Sequence, residues 1–197
     1  MRQAAIGFRV HSGWAAIVAV SLEKGAPVVL HRQKLLLVKI FSYTFRQPYH
    51  TAEKMALEEA ADFVRGVEKE SQELALAGIR ALQKELASAD YNICGCALLL
   101  ASGRKLPEFE KILTSHALIH TADGELFRES IRKACSRARL PLTATKERDL
   151  LAAASKKLNK RPEYLNRSVA ALGKSVGPPW TQDEKLATLA AWLTLAK

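Results

Sequence analysis

Apolar residues run almost unbroken from Ala4 to Val10 and again from Gly13 to Leu22, with His11, Ser12 and Gly13 at the junction, so the two runs read as strands around a tight turn. Gly25 and Pro27 mark a second turn. After it VVLHRQKLLLV, residues 28–38, alternates apolar and polar positions over part of its length and reads as a third strand. Strands joined by turns this short pair antiparallel, so a three-stranded meander is expected. The period then changes. Met55, Leu57, Ala60, Ala61, Phe63, Val64 and Val67 recur at near-helical spacing behind Thr51, a residue type that caps helices. The pattern continues through ELALAGIRALQKELASA, and Gly66 and Gly78 leave one very long helix and a helical hairpin both open.

NICGCALLLA is short, continuous and apolar, the pattern of a central strand covered on both faces. LPEFEKIL and HTADGELFRESIRKACSRAR read as helices, LPLTAT as a short strand, and KERDLLAAASKKL as a basic helix. A Gly177-Pro178-Pro179 linker precedes a last helix from about Thr181 to Ala196. Thr181 is its expected N-cap, and Asp183 and Glu184 lie in the first turn, where they suit the helix dipole. Leu186, Leu189, Ala190 and Leu193 recur at helical spacing and need a partner, so residues 177–197 are expected to fold back onto a domain formed by residues 1–176.

A chain of 197 residues with 48% hydrophobic and 25% charged residues is long enough to bury a core without disulfides or a structural metal. Cys94 and Cys96 alternate inside an apolar run and read as buried small hydrophobes; Cys135 is the third cysteine. A Cys-x-Cys lacks the two-residue spacer of zinc or redox motifs. No run of 18 apolar residues and no signal-peptide layout occurs, so no membrane partner and a cytoplasmic location are expected. The net charge of +10 is concentrated: residues 128–174 hold thirteen Lys/Arg and four Asp/Glu. Such a surplus is the footprint of a polyanion partner, nucleic acid or a ribonucleoprotein. The side chains expected to meet it are Arg128, Arg132, Lys133, Arg137, Arg139, Lys156, Lys157, Lys160 and Arg161.

The element order, three antiparallel strands followed by helix, strand, helix, strand and helix, is that of the ribonuclease H-like superfamily: an α/β fold with a mixed five-stranded sheet flanked by helices. Three segments resemble its RuvC-type members: IGFRVHSGWAAIVAV their first hairpin, SHALIHTADGELFRESIRKACSRARLPLTATKERDLLAA the helix, strand and basic segment after their active site, and GPPWTQDEKLATLAAWLTLA their closing helix. GCALLLASGRKLPEFEKIL also resembles the middle domain of archaeal and eukaryotic peptide-release factors. RQPYHT stands where those carry Gly-Gly-Gln, so their hydrolytic role is not implied. SGWAA, QPYH, GELFR and GPPWTQD together are similar to a bacterial family set.

The RuvC resemblance implies carboxylates holding two Mg²⁺ ions, because a hard cation takes oxygen ligands and clamps both oxygens of the phosphodiester. The first-strand carboxylate position reads Arg9, and the fourth strand ends in Ala101 and Ser102; Asp183 survives in the last helix. Arg9 is therefore expected to meet phosphate rather than a cation. The histidines offer different chemistry. His116 and His120 stand four apart, and with Glu125 they are candidate ligands for a divalent metal, the one cofactor class these residues admit. His11 could serve as base for Ser12, and His50 precedes the first helix; structural histidines hydrogen-bonded to backbone are the plainer reading. Three functions follow: a nucleic-acid-binding module that is not an active two-metal nuclease, a hydrolase built on His11, Ser12, His50, His116, His120, Glu125 or Asp183, and an interaction domain with an incidental basic face.

Overall fold

The computed structural model of the chain describes residues 1–101 and 105–196, so Ser102, one of the two residues at the end of the fourth strand, lies outside them. Strands β1 (Arg2–His11), β2 (Trp14–Glu23) and β3 (Ala26–Leu36) form the expected antiparallel meander. Lys24 and Gly25, between β2 and β3, both take positive φ, the requirement of the two-residue turn whose twist matches paired strands. β4 (Tyr91–Leu100) and β5 (Leu142–Lys146) add parallel, giving the order β3-β2-β1-β4-β5. Pro27 is tolerated because β3 is an edge strand.

The helices cover both faces. Between β3 and β4 come α1 (Tyr43–Arg46), α2 (Pro48–Ala52) and α3 (Leu57–Ser88). Thr51 lies inside α2 and does not cap α3, which Ala56 precedes; Pro48 fixes the start of a separate turn of helix instead. α3 runs unbroken for 32 residues through both glycines. After β4 come α4 (Phe109–Leu113) and α5 (His116–Arg137), and α3 and α5 pack together over one sheet face. A 3₁₀ turn (Glu147–Asp149) leads from β5 into α6 (Leu150–Leu158); α7 (Pro162–Val176), which the hydrophobic pattern did not single out, and α8 (Gln182–Leu195) follow.

α8 crosses the opposite face over β1, β2 and β4, with α6 and α7 outside it. It is capped as the sequence indicated: Thr181 accepts from the Asp183 N–H, and Glu184 reaches back to the Thr181 N–H. Its burial is not one-sided, however. All residues from Ala187 to Trp192 are buried, because sheet and helices enclose it. The approach is close enough that a Cβ on Gly7 would stand 1.9 Å from the Ala187 carbonyl oxygen, so β1 admits no side chain there. Cys94 departs from expectation. The β1–β4 register moves from Ala4↔Ile93 to Ala5↔Gly95, leaving Cys94 as the extra residue of a bulge and exposed, whereas Cys96 and Cys135 are buried.

Candidate functional site

Alternation along β1 sorts its side chains. Ala4, Ile6, Phe8 and Val10 enter the core under α3 and α5, so Arg9 and His11 point to the face that α8 crosses. There the first turn of α8 presents Asp183, and the end of β5 presents Glu147. Arg9 grips Glu147 at two points, Nε to Oε2 at 2.8 Å and Nη2 to Oε1 at 3.0 Å, and its Nη1 donates to Asp183 Oδ1. His11 Nε2 lies 2.8 Å from the same Asp183 oxygen; a carboxylate has no proton to give, so the ring nitrogen donates. The His11 ring stacks on Trp14 with centroids 4.4 Å apart, and Lys34 Nζ stands 4.4 Å from the centroid of the Trp14 ring.

Electrostatics follow from these contacts. The Glu147 hydrogen bond leads the effects that raise the Arg9 pKa above its ordinary value, against the cost of burial. Partial burial acts upward on Asp183, but the hydrogen bonds from His11 and Arg9 outweigh it and hold the carboxyl below its usual range. An open cleft of about 600 Å³ lies over this network, with Arg128, Arg148 and Gln182 also on its walls. His11 is turned toward Asp183, and no hydrogen bond joins it to Ser12 among the described residues; the Ser12 carbonyl accepts from Arg46.

The basic candidates divide in two. Arg128 pairs with Glu125 at 2.9 Å, Arg132 with Glu129 at 2.5 Å, and Lys133 with Glu68 at 2.6 Å, so their charges are largely answered within the fold. Arg137, Arg139, Lys156, Lys157, Lys160 and Arg161 are exposed and have no acidic partner among the described residues. The last four sit at the corner between α6 and α7, where Asn159 turns the chain in a left-handed conformation and Ser155 Oγ donates to the Lys160 carbonyl. Tyr164, 46% exposed, lies beside Lys160, whose Nζ is 5.3 Å from the ring centroid. Trp180 donates to the Val169 carbonyl at 2.9 Å and covers Gly173, pinning the linker to α7.

A second polar constellation lies elsewhere. His50 from α2 meets His116 and His120 from the first turns of α5, one ring nitrogen of each lying within 4.8 Å of the others. Asp123, fully buried one turn further along α5, accepts from His50 Nδ1 at 2.5 Å and from the Tyr49 N–H at 2.7 Å. Burial pushes the Asp123 carboxyl upward, against these two hydrogen bonds. Glu125 is not part of the cluster, because five residues beyond His120 it leaves that helix face and pairs with Arg128. His11 belongs to the Arg9 network instead. Sequence reasoning passed over Asp123, although 116, 120 and 123 share one helical stripe, and Glu147, although it directly follows a parallel strand, where α/β sheets build their sites.

No protein-family model matches this chain, and no curated protein does. Solved structures do. Thermus thermophilus RuvC matches with a TM-score of 0.56 at 11% identity over 96% of this chain and 91% of that one. RuvC of T. thermophilus in complex with a Holliday junction substrate matches with a TM-score of 0.54, again at 11% identity, over 98% of this chain and 92% of the other. The fold is ribonuclease H-like. At that identity the likeness extends to architecture alone. Among the described residues no helix is long and apolar enough to cross a membrane.

Proposed function

We propose that this chain is a nucleic-acid- or ribonucleoprotein-binding module of ribonuclease H-like fold whose metal centre has been replaced by an internal ion network. The observation that carries the binding reading is the α6–α7 corner: Lys156, Lys157, Lys160 and Arg161 are exposed and unanswered by acids, with the exposed Tyr164 beside them. Unpaired cations there release counterions from a polyanion, and an aromatic face offers a base a stacking surface. The Holliday junction bound by a structural neighbour agrees with such a partner.

The Arg9 network does not fit two Mg²⁺ ions. Its guanidinium is hydrogen-bonded to both carboxylates, Glu147 and Asp183, that a cation would need, and Ala101, directly after β4, has no oxygen ligand in its side chain. With its charge satisfied by these acids, Arg9 braces β1, β5 and α8 against one another rather than waiting for phosphate.

Salt dependence tests the reading. Each phosphate neutralised on duplex DNA contributes about 0.9 to the slope of log affinity against log salt, so roughly four to six contacts give a slope near −4 to −5. Replacing Lys156, Lys157, Lys160 and Arg161 by Gln is expected to lower that slope by about two to three, whereas Lys133→Gln, whose charge Glu68 already meets, changes it little. Equal melting temperatures exclude misfolding. Absence of binding to DNA or RNA at about 50 mM salt overturns the proposal in favour of a protein-interaction domain.

A further inference from the structure

The geometry points to a second, independent site: His50, His116 and His120 bind a borderline divalent cation of the Zn²⁺ class, with Asp123 orienting the first ligand. Imidazole nitrogens suit such an ion, whereas Mg²⁺ and Ca²⁺ take oxygen. Three histidines with an open fourth position form a recurrent zinc donor set. The Nε2 atoms of His116 and His120 are 3.0 Å apart, against the roughly 3.3 Å that two nitrogens at about 2.0–2.1 Å subtend on a tetrahedral ion. The two ring nitrogens thus already face one another at close to the separation a shared cation imposes.

His50 is preset for the same ion. Its Nδ1 donates to Asp123 Oδ2 at 2.5 Å, which directs the lone pair of Nε2 away from the carboxylate, and its ring centroid lies 4.3 Å from that of His120 and 5.3 Å from that of His116. A buried carboxylate holding the back of a ligating imidazole is the usual supporting contact of metal histidines, fixing the tautomer and raising ligand basicity. Asp123 is itself anchored by the Tyr49 N–H. The N-terminus of α5 opposes a cation with at most about half a unit charge, and the Asp123 carboxylate counters it. His116 and His120 are exposed, so the fourth position faces solvent and takes a water or another small donor. The site owes nothing to the Arg9 network, with which it shares no residue.

The test uses the full chain purified without a histidine tag, stripped with chelator and titrated separately with Zn²⁺ and Co²⁺. One ion per chain is expected, with the intense visible bands of tetrahedral Co²⁺. Zn²⁺ affinity should fall roughly 100-fold or more in His116→Ala and in His120→Ala, and about 10- to 100-fold in Asp123→Asn. The two exposed histidines carry the decision, because their metal-free variants should melt with the wild type whether or not Asp123→Asn folds. His31→Ala, which loses a contact to Glu85 on another part of the fold, should bind as the wild type does. Binding below one ion per chain, binding that survives in the double variant His116→Ala, His120→Ala, or an equal loss in His31→Ala overturns the inference.

Discussion

Arg9 answers to two carboxylates and His11 to one of them, so the cost of half-burying these charges is met inside the network rather than by a ligand. Asp183 is the shared acceptor. Replacing it with Asn keeps the shape and removes the charge, and at neutral pH this should destabilise the protein by about 1.5–3 kcal/mol, towards the lower end because solvent reaches the site. The pH dependence has a definite sign. Because the folded protein holds Asp183 below the 3.8 of an ordinary aspartate, the stability it contributes is complete above that value and is lost as pH falls through the folded pKa. Denaturant titrations at a series of pH values should therefore show the gap between wild type and Asp183→Asn closing on acidification. A gap that stayed constant would mean that the carboxylate charge contributes nothing.

α3 shows how one element tolerates two glycines for different reasons. A Cβ on Gly66 would meet nothing within 4 Å, whereas one on Gly78 would lie 2.5 Å from Leu35 Cδ1, so Gly78 is the notch that lets the end of β3 rest on the helix. Gly66→Ala should stabilise the protein by about 0.5–1 kcal/mol through helix propensity and a less disordered unfolded chain. Gly78→Ala gains the same propensity but must push Leu35 aside, and it should come out neutral or destabilised. Chemical denaturation of the two variants side by side separates the effects; equal stabilisation would show that Leu35 yields freely.

α8 ties the whole molecule together, since its buried residues close two clusters: Ala5, Val18 and Val20 on the sheet, and Leu150, Ala154, Leu165 and Val169 on α6 and α7. Losing it would expose several side chains worth about 1.5–3 kcal/mol each when large and fully buried, against a total stability of roughly 5–15 kcal/mol. A chain ending at Gly177 should show no cooperative thermal transition. If that truncated chain melted like the full one, α8 would be an appendage and the contacts of Gly7 with Ala187 would be incidental.

Local pattern alone determined much of this protein. The meander, the apolar run of β4, the Thr181 cap and the basic surplus are each written in neighbouring residues, because period, turn chemistry and charge act over a few positions. Even the direction of Arg9 follows from alternation with Ile6, Phe8 and Val10. What Arg9 would touch did not follow. Glu147 and Asp183 are 138 and 174 residues away in the chain, and only the stacking of β5 and α8 against β1 decides that they meet it. The same holds for His50, brought to His116 and His120 by the packing of α2 on α5, while Glu125, nearer in sequence, turns off the shared face to Arg128. Spacing along one helix specifies which side chains share a stripe; which other element lies over that stripe is set by the burial of the whole core.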